Sequence, residues 1–376
     1  MKKTLAALAV LGAFAGSAMA ADVTLYGAVD TGFEYIHTKS TGEKGVDTFD
    51  MQTGWDTPSR WGLKGTEDLG NGYKVGFKLE SGFNSDDGTM GQSNRLFGRE
   101  AGLTLSGPFG SVAFGRFGGI SSSAGTYDML GYVESFDGGD GNVWGFASSS
   151  RYDNMVVYQT PRFAGLQLTA QYSFKTDTKE GDTVGADNKP QYNGDEGTSH
   201  AQRYASVGLS GEYGPASFAV GYELTKYGAN TNGARALDKD GQLVFVGGNY
   251  DFEVVQLFAE AQYFKHQTAI NAGDDATAEL GLGKLGLKGY GLHLGAAAPL
   301  AGGTLTAGLY YVDLSEEAVD QADEDAKYYG VSARYNYPLS ERTSLYAGAG
   351  YGQLKDDDSG NKDQLTQVYC GLVHTF

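Results

Sequence analysis

The chain has 376 residues, among them 58 Gly, 25 Tyr and 19 Phe but only 7 Pro and 1 Cys, and its formal charge is −18. No run stays apolar over the roughly 20 residues of a spanning helix, one cysteine excludes a disulfide framework or a paired-thiolate zinc site, and the acidic balance opposes binding of nucleic acid phosphates. Abundant glycine with abundant aromatics is not the composition of disorder; it suits many strands joined by close turns.

Lys2 and Lys3, the short apolar stretch Leu5 to Ala15 and the small-x-small site Ala18-Met19-Ala20 have the form of a secretory signal peptide over residues 1–20. Cleavage there leaves one domain, 21–376, that begins at Ala21. Losing two lysines takes the charge from −18 to −20.

From there period two dominates. Leu166, Leu168, Ala170, Tyr172 and Phe174 interleave with Gln167, Thr169, Gln171 and Ser173; Phe218, Val220, Tyr222 and Leu224 interleave with Ser217, Ala219, Gly221 and Glu223. Tyr329, Val331, Ala333, Tyr335 and Tyr337 alternate with Gly330, Ser332, Arg334 and Asn336, and Leu345 to Tyr351 repeats the pattern. Successive strand residues point to opposite faces, so each stretch has one apolar and one polar or small face. Sixteen such segments start near Val23, Trp61, Tyr73, Leu96, Val112, Arg151, Leu166, Tyr204, Phe218, Leu243, Val255, Leu285, Leu305, Tyr328, Leu345 and Leu365. Gly247-Gly248 predicts an interruption in the one from Leu243.

The segments are about ten residues long, enough to cross a bilayer core as tilted strands. Short Gly- and Pro-rich turns (Leu69–Gly72, Gly107–Gly110, Arg162–Gly165, Tyr213–Pro215, Leu339–Arg342) alternate with long acidic loops at 175–200, 230–241, 266–284 and 315–327. A soluble solenoid or propeller would also alternate. Strand length and the signal segment favour an all-β transmembrane antiparallel β-barrel of about 16 strands, which must close because hydrocarbon cannot satisfy a sheet edge.

The last residues, Val368-Tyr369-Cys370-Gly371-Leu372-Val373-His374-Thr375-Phe376, resemble the C-terminal assembly strand of bacterial outer-membrane barrels. Asp22 to Gly27, Ser59 to Gly70 and Phe109 to Arg116 resemble the Gram-negative general porins, and the likeness covers essentially the whole mature chain. The resemblance implies a homotrimer in the outer membrane, in contact with lipid and lipopolysaccharide and assembled by the barrel machinery through the strand ending at Phe376. Each pore would pass small polar solutes and ions, with no cofactor and no nucleic acid. It also implies a pore-constricting third loop, here about 118–150, whose carboxylates face a ladder of basic wall residues. By motif the acids are Asp128 and Glu134, with Asp137 and Asp140 on the same loop; the wall bases are Arg60 and Arg116 by motif, Arg151 and Arg99 as candidates from neighbouring strands, and Lys64 by its inward phase. The family's basic residue on the first strand is not matched, since Ala28 stands there.

Alternation tests these positions. Arg60 and Lys64 fall opposite Trp61 and Leu63 and face inward, as do Lys74, Lys78 and Glu80. Arg116 is in phase with Val112 and Phe114, and Arg99 with Ala101 and Leu103, so each needs a bulge or a place beyond the lipid edge. The acidity of the outer loops predicts a mild cation preference.

Other motifs carry less. Gly281 to Gly286 fits a dinucleotide fingerprint by letter, but a strand follows where a helix should. Asp356 to Asn361 lacks the closing Glu of a calcium loop. The five histidines have no metal spacing, and Cys370 reads as a small lipid-facing side chain. The leading function is a passive diffusion channel. A solute-specific channel, a plugged structural or adhesive barrel, and an outer-membrane enzyme are the rivals.

Overall fold

The computed structural model describes residues 23–123, 125–179, 183–184, 190–191, 195–229, 237, 239–271, 286–316 and 324–376. The expected signal segment, parts of the four long loops and most of the 281–286 motif lie outside the described residues. The alternating stretches form strands: β1 (Thr24–Ser40), β2 (Val46–Thr53), β3 (Arg60–Gly70), β4 (Tyr73–Gly82), β5 (Glu100–Gly107), β6 (Gly110–Gly118), β7 (Arg151–Gln159) and β8 (Leu166–Ser173). A two-residue ribbon, β9 (Thr183–Val184) and β10 (Pro190–Gln191), stands apart. The wall resumes with β11 (Arg203–Tyr213), β12 (Ala216–Lys226), β13 (Gly241–Asp251), β14 (Gln256–Gln267), β15 (Leu287–Leu300), β16 (Gly303–Glu316), β17 (Glu324–Ser340), β18 (Thr343–Asp356) and β19 (Lys362–Thr375).

Each wall strand pairs antiparallel with the next, and β19 returns to β1 from Ala28↔Thr375 to Ser40↔Asp363. The amides of Gly27 and Phe376 each donate to the other residue's carbonyl at 3.0 Å, sealing the seam. β1 pairs with β3 from Thr24↔Lys64 to Ala28↔Arg60 and with β2 from Thr31↔Thr53 to Thr38↔Val46. Those two are therefore halves of one wall strand parted at residues 54–59, and the barrel has sixteen strands. Val46–Thr53 is not singled out by the alternation pattern. The strand expected from Leu96 begins at Glu100, and β13 runs unbroken through Gly247-Gly248.

Outward and inward faces separate as period two requires. On β14, Leu257, Ala259 and Tyr263 are exposed while Phe258, Glu260, Gln262 and Phe264 are buried. The outer belt is apolar, with Leu292, Leu294, Leu309, Val331 and Val368 all exposed. Aromatic pairs such as Tyr73–Phe109, Tyr213–Phe218 and Tyr335–Tyr337 stand near the turns, where an interfacial girdle belongs. Cys370 is exposed on the outer face, as its phase predicts.

The interior is not uniformly polar. Residues 119–150, between β6 and β7, leave the wall, and Ile120, Met129, Leu130, Val133, Val143 and Phe146 form one core with Leu243, Phe245, Phe264, Val312, Leu314 and Tyr328. These wall members occupy the inward phase, so the segment lies within the barrel against β12 to β18. Wall glycines make its seat: Gly208 meets Met129, Gly247 meets Val133, Gly291 meets Phe146, and Gly330 and Gly350 meet Val143. That accounts for Gly247 of the Gly-Gly pair in β13; Gly248, on the other face, meets Ser217 and Phe218. A Cβ at Gly247 would stand 2.9 Å from Val133 Cβ and 2.3 Å from the Ala259 carbonyl oxygen. Gly247→Val should destabilise the barrel by about 1–3 kcal/mol through overpacking. A lower temperature for loss of the folded band in seminative electrophoresis checks this, and Gly76→Ala, where the nearest atom is 3.4 Å away, serves as the silent control.

Candidate functional site

Because the apolar core fills one side of the barrel, open space remains on the other. A chamber of about 760 Å³ is lined by Arg60 on β3, Lys78 and Glu80 on β4, Arg99 just before β5, Glu34 on β1, Trp55 and Asp56 from the 54–59 joint, Arg334 on β17, and Ser123, Thr126, Asp137 and Asn142 of the inner segment.

Glu80 organises the basic wall. Arg99 Nε donates to its Oε1 at 2.6 Å and the Tyr26 hydroxyl donates to its Oε2 at 2.8 Å, while Lys78 Nζ and Arg60 Nε lie 3.7 and 3.9 Å from Oε2. Lys78 also lies 2.5 Å from Glu100 Oε2, and Glu100 accepts the amide and hydroxyl of Thr126, tying the inner segment to β5. The carboxylates are the shielded partners: side-chain exposure is 5% for Glu80 and 1% for Glu100, against 28% for Arg60 and 30% for Lys78. Within this cluster water therefore meets mainly Arg60 and Lys78.

The expected basic residues divide. Arg60 opens β3 in its inward phase. Arg99 lines the chamber although it is in phase with outward residues, because it precedes the first residue of β5 and the pleat does not govern it. Arg151, first in β7, lines an adjoining cavity of about 360 Å³ with Ser122, Asn142, Trp144 and Asn271. Lys64 lies in a third space of about 620 Å³ toward the 71–72 turn, its Nζ 5.1 Å from the Tyr26 ring centroid. Arg116 stands elsewhere. The register does shift between Gly115 and Phe117, yet its guanidinium donates to the Gly98 carbonyl at 2.8 Å and to Asp153 at 2.6 Å. Arg95 bridges Asp153 and Asp177 beside it, so this is a brace between connections and not part of the chamber lining.

The acids divide too. Asp137 is exposed and lines the chamber. Asp128 accepts the amides of Ser123 and Leu130 and so shapes the segment's own turn. Burial, then the neighbouring Asp137 carboxylate, pushes its carboxyl well above the usual range. Glu134 is buried and accepts the Trp144 indole N–H at 2.8 Å and the Gly138 amide at 3.1 Å. Asp140 is buried, accepts the Tyr369 hydroxyl at 2.5 and 2.7 Å, and lies 3.5 Å from Arg334 Nη1. Glu223 on β12 clasps both ends of the segment, accepting from the Ser121 amide and the Ser149 hydroxyl at 3.0 Å each.

Alternation does not mark the 54–59 joint. Asp30 accepts the amides of Asp56 and Thr57 and the Tyr346 hydroxyl, holding residues 54–59 in place. Trp55 stacks on Tyr369 with centroids 4.9 Å apart. Gly141, at φ +60°, lies so close to the Trp55 ring that any Cβ would overlap it. Arg334 donates to the Trp55 carbonyl at 2.8 Å and lies 3.4 Å from Asp56. Pro58 was the available signal, because proline interrupts a central strand; Arg334 was visible as an inward charge in the β17 alternation.

A sealed antiparallel cylinder with an apolar exterior and a charged, water-accessible chamber defines a transmembrane β-barrel channel. The chain belongs to the Gram-negative porin family, whose family model matches residues 6–358. It is 34% identical over 410 residues to an outer membrane porin protein of Bordetella pertussis, covering 100% of both chains. It is 32% identical over 386 residues to outer membrane porin protein 32 of Delftia acidovorans, covering 99% of this chain and 95% of that one. Among solved structures, the anion-selective porin from Comamonas acidovorans superposes with a TM-score of 0.69 at 26% identity, over 95% of this chain and 100% of that chain. The protein is an outer-membrane channel for passive diffusion of small hydrophilic solutes.

Tyr369→Phe removes the hydroxyl from buried Asp140 and should cost about 1–3 kcal/mol. A drop in the thermal midpoint of the folded barrel, measured by β-sheet circular dichroism in detergent, checks this.

Proposed function

We propose that residues 119–150 set the aperture and that the chamber beside them favours small anions. The observation that carries this is the asymmetry of exposure, with Arg60 and Lys78 in contact with water while Glu80 and Glu100 are shielded and ion-paired. Arg99 and Arg151 add positive charge to the same side. In a wet pore, selectivity follows lining charge and radius, whereas the acidic outer loops are screened within about 8 Å at physiological salt. The cation preference expected from total charge therefore yields to the local field, and the anion-selective Comamonas porin supports that direction. The open chamber favours a channel over a plugged surface barrel.

The rest of the reading follows the family. The chain acts as a homotrimer, is exported by the 1–20 signal, contacts lipopolysaccharide through its outer loops, and is inserted by the barrel-assembly machinery through the strand ending at Phe376. It makes and breaks no bond.

Planar-bilayer recording tests the proposal. The wild type should show current steps in groups of three and an anion-favouring reversal potential under a salt gradient; strong cation selectivity would overturn the reading. Removing one unit charge at about 8 Å in water-like surroundings is worth about 0.5 kcal/mol, so Arg60→Gln and Arg99→Gln should each shift the permeability ratio toward cations by roughly twofold. Asp137→Asn should shift it the other way, and Arg116→Gln should leave it unchanged.

A further inference from the structure

The inner segment meets the far wall at a pair of carboxyls. Glu134 of the segment and Glu260 of β14 are both buried, and the flanking residues bring them together: Val133 meets Gly247 and the Ser135 amide bonds His293, the two cross-strand partners of Glu260. Neither Glu260 oxygen has a donor from the rest of the protein. Two carboxylates offer only lone pairs, so this contact is attractive only if a proton lies between them.

Every element packed around the pair leaves that need unmet. On the segment itself, Trp144 and the Gly138 amide donate to Glu134, and Asp137 adds negative charge. On β14, Gln262 makes its hydrogen bonds of normal length to the Ala147 amide and carbonyl and adds only a weaker interaction with Glu260. On β13, Glu260 faces Gly247. On β15 its cross-strand partner is His293. The ring of that histidine is neutral by geometry: Nδ1 faces the Leu309 carbonyl at 3.1 Å and must carry the hydrogen, while Nε2 receives the Ser135 amide at 3.2 Å and must not. On β16, Tyr310 stacks on His293 and adds no charge. On β17, Arg334 is engaged by Asp56, Asp140 and the Trp55 carbonyl. Among the described residues no lysine or arginine forms an ion pair with either glutamate.

We propose that Glu134 and Glu260 share one proton, and that this carboxyl–carboxylate hydrogen bond is the latch holding residues 119–150 against the far wall. Both are positioning residues, acting on permeation through the segment, and the inference rests on the reading that this segment sets the aperture. Burial and then the Glu260 carboxyl raise the proton affinity of Glu134 well above that of an exposed glutamate. A raised value means that the latch is complete at acidic pH and is lost as the pH rises through the shifted value; acidification does not break it. Deprotonation leaves two buried like charges in contact, and the segment lifts from its glycine seat into the chamber.

Two measurements on the full-length protein test this. In planar bilayers, wild-type channels should show transient partial closures several-fold more frequent at about pH 9 than at about pH 6. Glu260→Gln replaces the shared proton with a permanent amide donor, so its closure frequency should stay flat across that range, and Glu134→Gln should behave alike. Infrared difference spectra of wild type against Glu260→Gln at neutral pH should show one carboxylic-acid carbonyl band present only in the wild type. Glutamine variants that titrate like the wild type, or absence of that band, would overturn the proposal. Were the channel silent at every pH, the aperture reading would fall, and the infrared band alone would decide the shared proton.

Discussion

Hydrocarbon offers the backbone no partner, and the rest of this structure follows from that. Each amide and carbonyl of the wall must find its mate within the sheet, so the sheet must curl until its first strand meets its last. Closure fixes which side chains see lipid and which see the interior, because the pleat assigns alternate residues to each. It also creates an enclosed volume that the chain itself has to partition. Here the partition is unequal. Apolar residues of 119–150 pack against inward Leu243, Phe245, Val312 and Leu314 on one side, and charge and water are confined to the other.

The carboxylates on the two sides have different tasks. Against the apolar core, Glu134, Asp140 and Glu223 are shielded and spend their oxygens on amides, hydroxyls and an indole, so they serve as anchors. Facing the chamber, Glu80 gathers Arg99, Lys78 and Arg60 and sets their spacing. A buried carboxylate without donors would be costly. The distribution of these acids therefore records where the inner segment must be held and where it must leave room.

Much of this is legible in the sequence because one rule, period two, is obeyed along most of the wall. It gives the sixteen strands, the outward Cys370 and the inward Arg60. It fails where the backbone stops being a pleated strand. Arg99 lies before β5 begins, and the register shift at Gly115–Phe117 unsettles the phase at Arg116. The inner segment has no period at all, so Asp128, Glu134 and Asp137 are found as acids of the right loop, but their division into turn brace, buried anchor and lining group depends on contacts that only the folded segment makes. The 54–59 joint escapes for the same reason, since only the fold brings Trp55 to Tyr369 and Asp56 to Arg334. The Gly-Gly pair in β13 misleads alone: it looks like a break, yet the strand runs through it and Gly247 is a seat for Val133.

The seam joins Gly27 to Phe376, and the register along β1 and β19 spans nearly the full length of the polypeptide. No cylinder can therefore exist while the chain is still being made. Until the final segment arrives, every partly built sheet carries two raw edges and an oily face, the features that drive strands to aggregate. Its pairing of residues so distant in order makes ring closure the slow, late event of its folding.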